Sequence, residues 1–240
     1  MIETARLPPI YIFMPLAADD DPLARACALA AGGSDPATIL CADRPDLFDC
    51  AVILQPDTAL GVSRLVLYVG MLGLGDALGS VVPAGVDVTY RWPNRIDANI
   101  GAVGRIRLCA PEGATDSEIP AWLVLHAAVA ISGKGEDRSG GFAFGTTLAD
   151  EGAVEVTTGA LLESFSRHFL AWLGRWQDDG FPPIRAMWLR HAASHGQNIE
   201  IRVGRRRERG LFRDIDDRGA LLLDKGRTTR RISLDAVLDA

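Results

Sequence analysis

The stretch GVDVTYRWPNRIDANIGAVGRIRL, residues 85–108, decides the fold. A strand-like run, VDVTYRW, leads into the triplet Trp92-Pro93-Asn94, and a second run, GAVGRIRL, leaves it after a PNRIDAN turn. The alternation of both runs is imperfect, as expected of a sheet covered on one face by helices. On local chemistry the triplet is a strand-end turn, with Pro fixing φ, Asn capping and Trp packing. Gly101 and Gly104 suit either a bulge or a place where a ligand approaches the backbone.

Working outward, the apolar stretch 59–78 precedes the strand pair. It carries Arg64, Asp76 and four glycines, which fits a helix buried in a core and not a membrane span. Further upstream, PPIYIFMPL, ATILCAD and CAVILQPD read as strands. A helix over DPLARACALAAGG has Asp21 as N-cap, Pro22 at N1 and Gly32-Gly33 as its stop. Downstream, residues 121–131 form a strand candidate, and SGKGEDRSGGFAFGTT is a loop rich in Gly and charge. The clearest helix spans about residues 159–176, capped by Thr157 or Thr158. Leu161, Leu162, Phe165, Phe169, Trp172, Leu173 and Trp176 share one stripe. IRAMWLRHAA, after Pro182-Pro183, is a shorter helix.

The tail changes character. IEIRV, LFRDI, ALLL and RRISL are short β runs separated by turn sequences, the spacing of a small antiparallel barrel. Residues 196–240 hold 11 Lys/Arg against 8 Asp/Glu, so +3. The rest holds 14 against 23, so −9. The expected organisation is therefore a large domain over 1–195 and a C-terminal β domain over 196–240. The net charge of −6 argues against nucleic acid as a partner. Cys27, Cys41, Cys50 and Cys109 form no CxxC pair, and reduced thiols in a cytoplasm are expected. The opening MIETARLPPIYIF lacks the basic and apolar regions of a signal peptide.

These pieces, in this order, resemble the catalytic domain of the biotin/lipoate protein ligase superfamily followed by its SH3-like C-terminal domain. GVDVTYRWPN is similar to the family's Trp-Pro-Asn motif, with Arg91 at its usual Lys position. DTALGVSRLVLYVGMLGLGDAL resembles the helix ahead of that motif. WLVLHAAVAI falls where the family has a strand ending in Gly-Ile-Asn. LLESFSRHFLAWLGRWQDDGFPPIRAMWLRHA resembles its long helix, proline turn and Trp-bearing helix, and GLFRDIDDRGALLLDKGRTTRRISL resembles its C-terminal hairpins. The resemblance covers roughly residues 55–238. It implies an α/β (α+β) fold, with a mixed sheet, packed helices and a small SH3-like β barrel. It also implies biotin, lipoate or octanoate and ATP as ligands, a carrier-protein domain as partner, and subunits pairing through sheet edges as a homodimer. In its context the triplet becomes a pocket wall.

The departures bear on function. The family's Gly/Arg-rich phosphate loop would hold an acyl-adenylate with backbone amides and arginines. Its place holds CADRPDLFDCAVILQPD, with one arginine and four acids. The lysine expected after the motif falls at Gly101 or Ala102, although Gly104 is retained. Arg105 and Arg107 are near, but alternation puts them on the face of Val103 and not of Gly104. The motif's acid becomes Arg95.

The expected ligand-binding residues are thus Arg91, Trp92, Asn94, Gly101, Gly104 and His126, with no catalytic residue assigned and no metal. His126, mid-strand in an apolar run, is either a satisfied core histidine or a pocket group able to bond a carboxylate. His191 and His195 have helical ligand spacing but no evident third ligand. Arg205–Arg209 reads as a basic hairpin tip, either solvated or touching an acidic partner. The functional expectation is a ligase-like protein that binds a small acyl ligand or carrier domain without catalysis. The alternative is a divergent acyl ligase or acyltransferase modifying a carrier-protein lysine.

Overall fold

The computed structural model describes residues 2, 4–99, 101–133, 144–204 and 206–238. Strand β1 (Ile12–Leu16) leads into helix α1 (Pro22–Ala31). The Asp21 carboxylate accepts from the Ala24 amide at 3.0 Å, so the cap read from the sequence is formed. Strands β2 (Thr38–Ala42) and β3 (Leu47–Leu54) follow. The apolar stretch divides into a short α2 (Leu60–Ser63) and a long α3 (Val66–Val81). The expected single helix is interrupted because the amides around Leu65 bond three residues back, tightening one turn. Residues 60–81 are long and apolar enough to cross a membrane, yet 78% of that window is buried inside the fold.

Strand β4 (Val88–Arg91) enters the Trp92-Pro93-Asn94 turn, whose Trp–Pro bond is cis. The expected PNRIDAN turn is corrected here. Arg95–Ala98 is itself a strand, β5, and Asn99 at φ 52° helps turn the chain into β6 (Gly101–Cys109). Strand β7 (Leu123–Ala130) completes the sheet. The long α4 (Thr158–Asp179) is capped by Thr157, whose hydroxyl accepts from the Ala160 amide at 3.2 Å. Its partner α5 (Phe181–His191) takes both prolines in its first turn. The tail holds β8 (Asn198–Val203), β9 (Arg206–Ile215), β10 (Leu221–Asp224), β11 (Thr229–Ile232) and the short α6 (Asp235–Leu238).

The first sheet has the order β1-β2-β3-β7-β6-β5-β4, parallel only between β1 and β2. One face buries Phe48, Leu125, Val129, Ile106 and Ile96 with apolar side chains of α3 and α4. The other carries a smaller cluster, in which Leu23 and Ala26 of α1 meet Leu40, Ala51 and Val124. The tail forms a four-stranded antiparallel sheet, β11-β10-β9-β8, consistent with an SH3-like domain. The basic segment is corrected too. Arg206 does flank the β8–β9 turn, opposite Val203, but Arg207 and Arg209 lie within β9, where Arg207 and Glu200 pair at 3.0 Å; Arg205 lies outside the described residues.

Two sites explain why the layers close together. A Cβ at Gly75 of α3 would lie 1.9 Å from Tyr90 Oη, so only glycine lets β4 pack against that helix. The buried Trp92 indole N–H donates to Tyr68 Oη at 2.9 Å and to the Gly219 carbonyl at 3.2 Å. Tyr68 Oη itself donates to that carbonyl at 2.5 Å. This node ties α3, the end of β4 and the β9–β10 turn.

Gly75→Ala gains about 1 kcal/mol of helix propensity. The overlap outweighs it, giving a net loss of about 1–2 kcal/mol in urea unfolding. Adding Tyr90→Phe should recover part of that loss, and an unimpaired Gly75→Ala protein would refute the close packing. Trp92→Phe removes a buried donor and should lower stability by about 1–3 kcal/mol at unchanged denaturant slope. No change in the unfolding midpoint would refute the node.

Candidate functional site

The six residues singled out in the sequence do not share one face. Trp92 is buried in the node just described. Asn94 Nδ2 donates to the Ile106 carbonyl at 2.8 Å, and the Ile106 amide returns a bond to Asn94 O at 2.9 Å. Asn94 therefore clamps the turn onto β6. A Cβ at Gly104 would stand 3.0 Å from both Ala128 O and Val129 Cγ2. At Gly101 a Cβ would stand 2.3 Å from Thr146 Cγ2, because the chain at Gly145-Thr146 lies against β6, with the Gly145 amide bonded to Ala102 O. Residues 134–143 of the expected Gly- and charge-rich loop lie outside the described residues.

The bulge reading of the glycines is the one the strand pairing shows. Ile96 pairs with Gly104, but Asp97 pairs with Ala102, so Val103 is the extra residue of β6. Val103 joins the main core, whereas Arg105 and Arg107 stand on the opposite face from Ile106. The expectation that these arginines share the face of Val103 is corrected by this bulge.

Arg91 and His126 do lie on that second face. Register aligns Arg91 with Arg95, Arg95 with Arg105, and Arg107 with His126. Asp97 lies between the first two arginines and is 0% exposed. Arg95 Nε donates to its Oδ1 at 2.5 Å, and Arg91 Nε donates to its Oδ2. His126, also 0% exposed, is hydrogen-bonded to Asp49 at 2.7 Å between Nε2 and Oδ1, while its Nδ1 has no partner among the described residues. The satisfied-core reading of this histidine thus holds for one ring nitrogen and fails for the other.

At the rim of the face, Cys109 of β6 meets Cys27 of α1. The hydrogen bond from Cys27, with Arg107 acting the same way against burial, holds the Cys109 thiol down at about 7. The same bond, together with burial, pushes Cys27 up. His195 Nε2 lies 3.0 Å from the Arg213 carbonyl. No metal-binding group of three or more His, Cys, Asp or Glu occurs among the described residues. Two surface hollows, one lined by Ala30, Gly33 and Trp122 and the other by Pro111, Glu118 and Pro120, include none of the six expected residues.

Sequence reading missed Arg95, Asp97 and Asp49. Asp97 was hidden in a segment read as a turn. Taken as a strand, Arg-Ile-Asp-Ala alternates and puts Arg95 and Asp97 on one face. Asp49 and His126 are 77 residues apart, and no local signal joins them.

Comparison with known proteins fits this geometry. The profile of the Biotin/lipoate A/B protein ligase family matches residues 7–190, and that of the Biotin protein ligase C terminal domain matches 194–233. The chain is 28% identical over 180 residues, 73% of each protein, to a biotin–[acetyl-CoA-carboxylase] ligase of Paracoccus denitrificans. A biotin protein ligase-like protein of unknown function from Silicibacter sp. superposes with a TM-score of 0.87 at 28% identity, covering 98% of this chain and 99% of that one. The biotin protein ligase of Aquifex aeolicus shares the fold at a TM-score of 0.71 and 16% identity, covering 92% and 94%. The chain belongs to the biotin/lipoate A/B protein ligase family.

Proposed function

We infer that this family member binds a small acyl ligand or a carrier-protein domain on the β4–β7 face and forms no acyl-adenylate. The observation that carries this is the connection between β2 and β3. It is four residues long, 43–46, and three of them are Asp43, Pro45 and Asp46. The fourth, Arg44, is nearly buried and turned onto Asp46, with Nε to Oδ1 at 3.1 Å and Nη2 to Oδ2 at 2.7 Å. A triphosphate needs converging amides and cations. This turn is too short and too acidic to supply them.

Lysine is scarce as well. The chain has two, Lys134 and Lys225. Lys225 pairs with Glu208 at 2.6 Å in the second sheet, and Lys134 lies outside the described residues. The division into 1–195 and 196–240 belongs to the same proposal, with the first part bearing the ligand face. Arg91 is its ligand-facing member, and His126, buried against Asp49, lies beneath that face. Trp92, Asn94, Gly101 and Gly104 shape the scaffold under it.

One observation favours the alternative, an ATP-independent acyltransferase. Cys109 lies at the rim of the same face with a thiol poised near neutrality, the condition a nucleophilic cysteine needs.

Incubation with ATP and biotin, lipoate or octanoate should release no pyrophosphate and label no acceptor domain. One of the acyl compounds, or an acceptor domain, should raise the melting temperature. Pyrophosphate release with acceptor labelling would sink the binding reading. An acyl adduct on Cys109 after exposure to an acyl thioester, absent in Cys109→Ser, would favour the transferase.

A further inference from the structure

The four cysteines of the chain come together as two couples. Cys41 and Cys50 stand directly opposite one another on β2 and β3, their side chains hydrogen-bonded, and both are 0% exposed. Cys27 of α1 and Cys109 of β6 form the other couple, joined by a hydrogen bond, and both are only half-buried. Helix α1 creates this second meeting. Its Leu23 and Ala26 pack on Ala51 and Val124, and Val124 is the residue of β7 opposite Cys109. Cys27 and Cys109 pack against that same cluster. Two cysteines far apart in sequence are thus brought into contact by tertiary packing, at the rim of a face and within reach of small solutes. Thiols in contact are the starting arrangement for a disulfide.

The two thiols are also unequal. Cys27 donates to Cys109, and Arg107 favours the anion, so the Cys109 thiol stays near 7 despite burial. The same bond, together with burial, pushes Cys27 up. A thiolate beside a protonated thiol is the pairing of an attacking and a resolving cysteine. We propose that Cys27 and Cys109 are a reversible redox couple, closed to a disulfide by a hydroperoxide. The Cys109 thiolate attacks a peroxide oxygen. The O–O bond breaks, the alkoxide takes up a proton and leaves as an alcohol (water, for hydrogen peroxide), and Cys109 becomes a sulfenic acid. The Cys27 sulfur then attacks the Cys109 sulfur. The S–S bond forms, the S–O bond breaks, and hydroxide leaves as water with the Cys27 proton. Two electrons pass from the thiols to the peroxide. The product ties α1 covalently to β6. None of this depends on the ligand reading above, because the oxidant alone is the probe.

The test treats the native full chain with hydrogen peroxide, unfolds it in an alkylating agent and maps the cysteine peptides by mass. A Cys27–Cys109 crosslink should appear and be reversed by dithiothreitol, while Cys41 and Cys50 are recovered alkylated. Amides of α1 should exchange more slowly in the oxidised protein. Cys27→Ser removes the resolving thiol, so oxidation should stop at a sulfenic acid that dimedone labels on Cys109. Cys109→Ser should give no crosslink and at least about tenfold less dimedone on Cys27. Both residues recovered as free thiols would overturn the couple. So would irreversible oxidation of Cys109 without a crosslink, or oxidation of Cys41 and Cys50 as fast as that of the rim pair.

Discussion

The carbonyl of Gly219 receives two buried donors, the Tyr68 hydroxyl and the Trp92 indole, and much of the molecule is arranged so that they can reach it. Tyr68 comes from the helix under the large sheet, Trp92 from the end of its edge strand, and Gly219 from a turn of the small sheet. Gly219 has φ 73°, and a Cβ there would lie 2.7 Å from the Tyr68 ring. A side chain at this turn would thus collide with one donor while straining the backbone that presents the acceptor. Trp188 and Phe181 pack edge-on against the same tyrosine, closing the node from the side of α5. The indole that first suggests a ligand pocket is thereby fixed as a joint between two sheets.

This joint separates two roles that one motif carried in the sequence. Trp92 and Asn94 look inward and secure the turn, while Arg91 and Arg95 on either side look outward from the second face. A strand's period of two makes such a division inexpensive, because neighbours in sequence belong to different environments. The arginine-bearing face can change its charge without disturbing the face that packs against α3 and α4. The short acidic β2–β3 turn and the arginine row fit that picture: the one arginine of the turn is paired with Asp46, whereas three arginines stand in register across β4, β5 and β6.

Much of the fold was legible from local rules. The Asp21 and Thr157 caps and the apolar stripe of α4 are each set within a few residues, and each forms as read, while α5 takes in the two prolines that the reading left outside it. The fine structure of the candidate face was not legible, for equally physical reasons. β5 is only four residues long and lies between turn-forming residues, so its alternation is too brief to declare a strand. The Asp49–His126 pair depends on β3 and β7 becoming neighbours, which no local window contains. Glycine and Val103 in β6 signal a bulge without saying which residue is extra, and that uncertainty inverts the predicted facing of everything after it.

Val103 acts on β6 much as an inserted letter acts on a reading frame. With it, Ile106 falls on the helix-packed face and Arg105 and Arg107 on the other. Remove that single residue while the β5 pairing holds, and Gly104 still meets Ile96 and Arg105 still meets Arg95, so every later side chain of β6 keeps its face. The core loses one valine and the ladder becomes regular. A deletion anywhere else in the strand would instead carry each later side chain to the wrong side. The bulge is thus the one place in β6 where the chain can change its length by a residue without exchanging its two faces.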